Sequence, residues 1–283
     1  MWFSEKALVF VDTRSAALAV YRQTLSGPRL ERFASERFES HAGQSALFSD
    51  VLADSRESVA RLIRDLKAPP SDATVVLPLG AAFPSIIDRP SIDKAKTSEV
   101  DEADVVRFRL SPLLPFPIAQ AEVRTETSAS IGRDVVLAQA VLKSLIADSE
   151  RVMGSLGLSR PRVTTALSAA LRGLPARAGT VDLVFGDSAC AIAVRDLRGS
   201  VEAIHLRLLL PGDDRARRSV DEAQRATAEP REIRALGESV ETLRLRASPD
   251  AVIHPAFDLP ELKGSADPQQ FPFLSVFHER QGR

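Results

Sequence analysis

The hydrophobic positions at the start of the chain follow a strand pattern. Two apolar runs, 7–13 and 16–23, are separated by a short polar break, and a third segment at 29–38 alternates loosely between apolar and polar residues. Alternation of this kind is typical of strands that have one face against a core and the other in water. We therefore expect three consecutive strands at this end of the chain.

A helix and a fourth strand are predicted next. One helical face is indicated by apolar residues at the i, i+3, i+4, i+7 spacing, namely Val59, Leu62, Ile63 and Leu66. Two prolines at 69 and 70 end this pattern, since proline cannot continue a helix. The run at 74–80 predicts a buried strand that leads into a turn.

The composition changes over 84–133, which is richer in proline, serine and charged residues. The acidic stretch 99–106 suits the first turn of a helix, because carboxylates favour the positive end of the helix dipole. We expect that helix to end before Pro112 and a polar strand to follow at 121–129.

The pattern then returns to apolar elements. Residues 134–140 predict a strand or the start of a helix, and helical spacing continues over 142–156 until Gly157. Later segments predict a strand with a short helix at 162–174 and a meander of three strands at 181–187, 189–196 and 200–210.

The last part of the chain is less regular. Residues 211–235 are strongly polar and indicate a solvated helix or a partly mobile loop, with a binding surface as the alternative. The runs 240–247 and 251–257 predict weak strands, and an aromatic piece follows at 269–277. Two β-rich halves with helices between them favour an α/β protein built by duplication.

Composition narrows the function classes. The 283 residues suffice for one large domain or two smaller ones, and 37 basic residues against 38 acidic ones give a net charge of -1. That balance argues against a nucleic-acid partner, which would need clustered positive charge. The single cysteine, Cys190, excludes an internal disulfide, and its apolar context predicts a buried side chain. Without about 18 consecutive apolar residues, we expect an intracellular protein that reaches a membrane only through a partner.

Two turns carry the residue types that can bind phosphate. The first contains Asp12, Thr13, Arg14 and Ser15, and the second contains Gly186, Asp187 and Ser188. Paired hairpin turns can direct backbone amides at a phosphate while an aspartate organises Mg²⁺. The same residues are also the commonest in ordinary hairpin turns, so both interpretations stay open.

Other chemistry has little support in the sequence. The four histidines, His41, His205, His254 and His278, have no His or Cys partner at metal-ligand spacing. The chain has no P-loop, nucleophile-elbow or zincin motif. We therefore predict no metal site and no covalent catalysis.

The segment 107–118 is the most distinctive, since it combines several large apolar side chains with three prolines. It can form a helix and turn that pack on the core, or the wall of a groove for a partner peptide. The segment and the order of elements around it resemble the PilM family of actin-like proteins of type IV pilus assembly, and more distantly the cytoplasmic region of GspL. The residues that match the family's motif are Arg107, Phe108, Leu110, Leu114, Pro115 and Phe116. With Pro117, these are the residues that we expect to bind a partner.

The resemblance, which covers roughly residues 7–210, implies an actin-like (ribonuclease H-like) α/β fold of two lobes with a subdomain inserted in the first. The expected divisions are 1–83 for the core of the first lobe and 84–157 for the inserted subdomain and the return of the chain to the first lobe. Residues 158–283 are expected to form a second lobe with a shortened upper subdomain and a C-terminal segment. It also implies a cytoplasmic scaffold that binds the tail of a PilN-type membrane protein beside the insert. A motor ATPase and further copies of this chain are additional partners that the resemblance suggests.

The sequence departs from the family at three elements that contact nucleotide. Arg14 stands where the first loop usually has glycine, and Phe185 stands where the second usually has aspartate. The glycine pair of the adenosine loop is missing, with Gly237 alone near the expected place. The resemblance to this family implies ATP with Mg²⁺ as the cofactor. The three departures from the family's nucleotide contacts argue against tight binding of ATP. We therefore predict a non-catalytic scaffold, and the alternative is a working actin-like ATPase related to the sugar kinases.

Overall fold

The computed structural model describes most of the chain. The described residues are 5–24, 27–38, 48–66, 72–89, 93, 101–127, 131–158, 161–209, 214–227, 231–238, 240–246 and 251–255. The predicted aromatic segment 269–277, the prolines 69 and 70, and two of the histidines, His41 and His278, lie outside these residues.

The described part of the chain contains strands and helices in alternating groups. The strands are β1 (Glu5–Val11), β2 (Ser15–Thr24), β3 (Gly27–Arg37), β4 (Asp72–Leu77), β5 (Ala82–Asp88), β6 (Ala121–Glu126), β7 (Val135–Leu142), β8 (Arg162–Thr165), β9 (Thr180–Phe185), β10 (Ala189–Arg195), β11 (Val201–Leu208), β12 (Glu232–Leu236) and β13 (Ile253–Pro255). The α-helices are α1 (Phe48–Arg64), α2 (Glu102–Leu110), α3 (Lys143–Ser155), α4 (Ala166–Gly173), α5 (Arg215–Arg225) and α6 (Val240–Arg246).

Two five-stranded sheets share one topology. The first has the order β3-β2-β1-β4-β8, and the second has the order β11-β10-β9-β12-β13. In each sheet the first three strands form an antiparallel meander, and the remaining two run parallel to the first strand of that meander. The predicted duplication is therefore present in the backbone, strand for strand.

A third, smaller sheet is inserted between β4 and β8. Its order is β5-β7-β6, with antiparallel pairing throughout. Helix α2 covers this sheet and is capped at its start by Asp101, whose carboxylate accepts the N–H of Ala103 at 3.2 Å. The open choice at 134–140 is settled in favour of a strand, because β7 is the central strand of this sheet and is buried along most of its length.

The hydrophobic core joins the sheets to each other. Helix α4 lies in a cluster of buried residues that includes Phe10 of β1, Leu137 of β7 and Val184 of β9. The opposite face of the first sheet is covered by α1 and α3, and that of the second sheet by α5 and α6. Burial of aliphatic side chains on both faces explains why the central strands are almost uniformly apolar.

Two expectations about the later part of the chain need correction. The end of the segment 211–235, which we expected to be a polar helix or loop, instead belongs to the buried strand β12. Residues 240–246, expected to be a strand, form α6, in which Leu243 is 0% exposed and Leu245 is 85% exposed. A spacing of two residues puts side chains on the same face of a strand but on nearly opposite faces of a helix.

The division between the lobes also differs from the expected ranges. Strand β8 lies beyond residue 157, yet it pairs with β4 and completes the first sheet. The second sheet begins with β9 at Thr180. Helix α4 therefore connects the two sheets, and its side chains enter the core between them.

Candidate functional site

The two turns singled out in the sequence are built in the same way. The first follows β1, and its Asp12 donates its N–H to the carbonyl of Ser15 at 2.8 Å. The second follows β9, and its Gly186 donates its N–H to the carbonyl of Ala189, also at 2.8 Å. Each hairpin thus closes with the same main-chain bond.

The turns meet each other between the two sheets. The carboxylate oxygen Oδ2 of Asp187, in the second turn, accepts the hydroxyl of Ser15 at 2.6 Å and the N–H of Arg14 at 3.2 Å. These donors belong to the first turn. The second turn therefore supplies an anion to the donors of the first.

The converse contact is made by Asp12. Its Oδ2 accepts the N–H of Asp187 at 2.8 Å, and its Oδ1 accepts the hydroxyl of Ser188 at 3.3 Å. The same Oδ1 also accepts the N–H of the adjacent Thr13 at 2.8 Å. The Asp12 side chain is buried, so these three donors take the place of water around its carboxylate.

Burial and a second negative charge perturb the ionisation of this site. The pKa of Asp12 is raised from 3.8 to about 7, first because burial disfavours the charged carboxylate and then because Asp187 is negatively charged. The hydrogen bonds from Asp187, Thr13 and Ser188 lower the pKa and partly offset these effects.

Glycine is required where the backbone approaches closely. A Cβ at Gly186 would lie 2.8 Å from Oδ2 of Asp12, so a side chain there would displace the Asp12 carboxylate. Gly237 follows β12 with φ +87°, and a Cβ there would lie 2.2 Å from the carbonyl oxygen of Phe185. Gly237 thus packs directly against the end of β9.

The predicted site residues in both turns are brought together by the fold, although the contacts join the turns to each other. The amides and hydroxyls that are suited to bind phosphate donate to carboxylates of the protein itself. Phe185, which stands where the resemblance leads us to expect an aspartate, is buried in the cluster between the second sheet and helices α5 and α6. Among the described residues, no group of three or more His, Cys, Asp or Glu side chains is arranged to hold a metal ion.

The insert places its distinctive segment partly on the surface. Phe108 on α2 is 78% exposed, and Leu113 in the following turn is 58% exposed. Arg107, Pro115 and Pro117 are also exposed. These exposed side chains all lie within the segment 107–117.

Other members of the same segment face inwards. Leu110 and Val106 lie on the buried face of α2, against the sheet of the insert. Leu110 therefore stabilises the insert and offers no surface to a partner. Leu114 and Phe116 are partly buried, and the ring of Phe116 packs edge-on against Phe83 with 5.3 Å between centroids. The proposed partner-binding residues thus divide into an exposed group and a supporting group.

Sequence reasoning missed a buried ionic group in the second sheet. Asp182 of β9 accepts the Nε–H of Arg195 at 2.6 Å and the Nε–H of Arg234 at 2.6 Å. Arg195 also donates to the carbonyl of Gly199 and Arg234 to that of Pro175. All three side chains are buried. The available signal was a charged residue in two apolar strands, with Asp182 inside β9 and Arg195 at the end of β10.

Comparison with known proteins defines the class of fold. No protein-family model matches the chain, and no curated protein matches its sequence. A Bacteroides thetaiotaomicron protein with an actin-like ATPase fold and unknown function is similar in structure, at a TM-score of 0.56 and 9% identity over 89% of this chain and 91% of that one. The chain therefore has the predicted actin-like α/β fold.

Within that class, the structure is similar to two components of bacterial assembly systems. One is a PilM-PilN type IV pilus biogenesis complex, at a TM-score of 0.60 and 15% identity over 96% of both chains. The other is the cytoplasmic domain of EpsL, an inner membrane component of the type II secretion system of Vibrio cholerae, at 0.52 and 9% identity over 96% of this chain and 94% of that one. The resemblance to PilM-like proteins is confirmed at the level of the fold.

No described helix of this chain combines the length and the apolar character needed to span a membrane.

Proposed function

We propose that this chain is a non-catalytic cytoplasmic scaffold in the inner-membrane platform of a type IV pilus or a type II secretion system. In this role it is peripheral to the membrane and binds the cytoplasmic tail of a PilN-type membrane protein. The proposal has two parts, the absence of nucleotide chemistry and the presence of a partner surface, and different residues support each.

The contact between the two turns carries the first part. A nucleotide phosphate between these hairpins would need the N–H of Arg14 and the hydroxyl of Ser15, and both already donate to Asp187. A bound Mg²⁺ would need an ionised and accessible Asp12, which is buried and accepts three hydrogen bonds. Binding of ATP in this arrangement requires breaking contacts that the protein makes with itself.

The likeness of fold supports the second part. The PilM structure that this chain resembles over 96% of its length was solved as a complex with PilN, and EpsL is an inner membrane component. A chain that keeps the whole fold while its nucleotide turns bond to each other is suited to act through its surface.

The exposed apolar residues of the insert indicate where that surface lies. Phe108 and Leu113 place large apolar side chains in water at the edge of a small, well-packed sheet. Adjacent prolines hold the backbone of 111–117 in a narrow range of conformations, which reduces the entropy lost on binding. An extended apolar peptide is the kind of ligand that such a surface recognises.

A peptide-binding measurement tests the partner surface. Calorimetry with the cytoplasmic peptide of a PilN-type protein is expected to show binding that Phe108→Ser weakens at least tenfold. Leu197→Ser is the matched control, because Leu197 is equally exposed but lies in the turn between β10 and β11. Equal binding by the wild-type chain and Phe108→Ser would contradict the assignment of this surface.

Titration with Mg·ATP tests the non-catalytic part. We expect no binding at micromolar concentrations. Micromolar binding that Asp12→Ala abolishes would instead favour the alternative of a working actin-like ATPase.

A further inference from the structure

The first turn contains an arrangement of donors that suits an anion. The N–H of Arg14 and the hydroxyl of Ser15 converge on one oxygen, Oδ2 of Asp187, at 3.2 and 2.6 Å. Convergent N–H and O–H donors at a tight turn are a common means of binding an anion in proteins. Here the anion is a side chain of the same protein, from a residue 172 positions beyond Ser15.

The second turn repeats this arrangement in the opposite direction. The N–H of Asp187 and the hydroxyl of Ser188 both donate to the carboxylate of Asp12 at 2.8 and 3.3 Å. Each turn therefore provides one N–H and one O–H, and each receives a carboxylate from the other. These reciprocal hydrogen bonds join the hairpin β1–β2 of the first sheet to the hairpin β9–β10 of the second.

We propose that Asp187 is a built-in anion that fills the anion site of the first turn. The reciprocal hydrogen bonds between the turns of Asp12 and Asp187 then hold the two sheets together without any bound phosphate. The proposal goes beyond the scaffold function, since it concerns the chain alone and requires no partner. It also makes a chemical prediction, because removal of the Asp187 carboxylate leaves the donors of Arg14 and Ser15 available to an external anion. The exposed guanidinium of Arg14 adds positive charge at that position.

Hydrogen–deuterium exchange on the full chain tests this proposal. In Asp187→Ala, amide exchange over residues 12–16 is expected to be at least tenfold faster than in the wild-type chain. Inorganic phosphate is expected to slow that exchange again in the variant and to leave the wild-type chain unchanged. Asp187→Asn provides a second variant that keeps the size of the side chain and removes its charge, should the alanine variant fail to fold.

The chain offers a matched control in Asp196. Its carboxylate also accepts two turn amides, those of Arg198 and Ser200, each at 2.8 Å, but both belong to its own turn. Asp196→Ala should therefore speed exchange over 196–200 and leave residues 12–16 as they are.

Three results would overturn the proposal. These are unchanged exchange over 12–16 in both Asp187 variants, faster exchange that phosphate does not reverse, and equal protection of the wild-type chain by phosphate. None of them depends on a membrane partner, so failure here leaves the peptide-binding proposal standing. Failure of peptide binding likewise leaves this one standing.

Discussion

The backbone N–H of Asp187 donates to Oδ2 of Asp12 at 2.8 Å, and the negative charge of Asp187 also helps to raise the pKa of Asp12 to about 7. One residue of the turn after β9 thus both donates a hydrogen bond to a buried carboxylate in the turn after β1 and perturbs its ionisation. The pair makes the stability of the fold dependent on pH.

Stability is expected to fall as the pH rises from about 4 to about 7. In this window the folded chain keeps a proton on Asp12 that the unfolded chain has released, so the stabilisation present below pH 3.8 is lost as the pH passes the folded pKa of about 7. The full change corresponds to about 4 kcal/mol. Urea unfolding of the wild-type chain and Asp12→Asn across this range measures it, and a constant difference between the two would contradict the assignment.

The buried Asp182 is expected to be essential for the second sheet. Burial lowers the pKa of Arg234, and the carboxylate of Asp182 opposes this by favouring the charged guanidinium. Asp182→Asn leaves Arg195 and Arg234 buried without that negative charge, which should destabilise the fold by about 3–5 kcal/mol. Chemical denaturation measures the loss.

A surface ion pair provides the control for this change. Glu202 pairs with Arg231 at 3.0 Å and is well exposed. Glu202→Gln should change the free energy of unfolding by less than about 1 kcal/mol. Similar losses for Asp182→Asn and Glu202→Gln would show that the buried group has no special role.

Leu110 and Leu113 are expected to behave differently although they are close in sequence. Leu110→Ala removes a fully buried side chain and should destabilise the chain by about 2–5 kcal/mol, since a cavity is left under α2. Leu113→Ala should remain within about 0.5 kcal/mol because the side chain is exposed. Thermal or chemical unfolding distinguishes them, and equal effects would refute the division of the segment into exposed and supporting residues.

Ser168 links the insert to the first lobe through a buried polar contact. Its hydroxyl accepts Nε2–H of Gln139 at 2.5 Å, while Thr165 donates to Oε1 of the same amide at 2.7 Å. Ser168→Ala leaves the buried amide donor of Gln139 without this acceptor, at an expected loss of about 1–3 kcal/mol. Ser155→Ala, at an exposed position where the hydroxyl contacts its own helix, should be close to neutral in the same unfolding assay.

Gly237 and Gly157 provide a matched pair of left-handed glycines, with φ +87° and +88°. Alanine at Gly157 meets no atom within 4 Å, so it should cost about 1–2 kcal/mol for the backbone conformation alone. Alanine at Gly237 should cost about 1–3 kcal/mol more, because its Cβ meets the carbonyl of Phe185. Equal losses in chemical unfolding would show that the close approach does not constrain the fold.

The strands of the first sheet and of the central meander could be predicted because each carries its own pattern. Runs such as 181–185 are apolar at almost every position, and burial on both faces of a sheet requires this. The pattern failed at β12, where Arg234 interrupts a short strand within a polar region. The partners that make this arginine compatible with burial, the carboxylate of Asp182 and the carbonyl of Pro175, are both distant in sequence.

The seven turn residues of the candidate site could be chosen from the sequence, but their contacts could not. Asp12 and Asp187 are 175 positions apart, and nothing local to either indicates the other. From the sequence, each turn can therefore be interpreted either as a site for an external phosphate or as an ordinary hairpin turn, and neither interpretation includes a contact between the turns. The arrangement depends on how α4 and the shared core bring the two hairpins together, which is a property of the whole fold.

The core around α4 has a mechanical consequence. Because side chains of both large sheets and of β7 interlock there, neither half can rotate against the other without separating close-packed atoms. The molecule should therefore respond to a pulling or pushing force as a stiff block. A displacement applied at the insert would therefore be transmitted to the second five-stranded sheet with little change in its size. An element that couples two moving parts requires this behaviour.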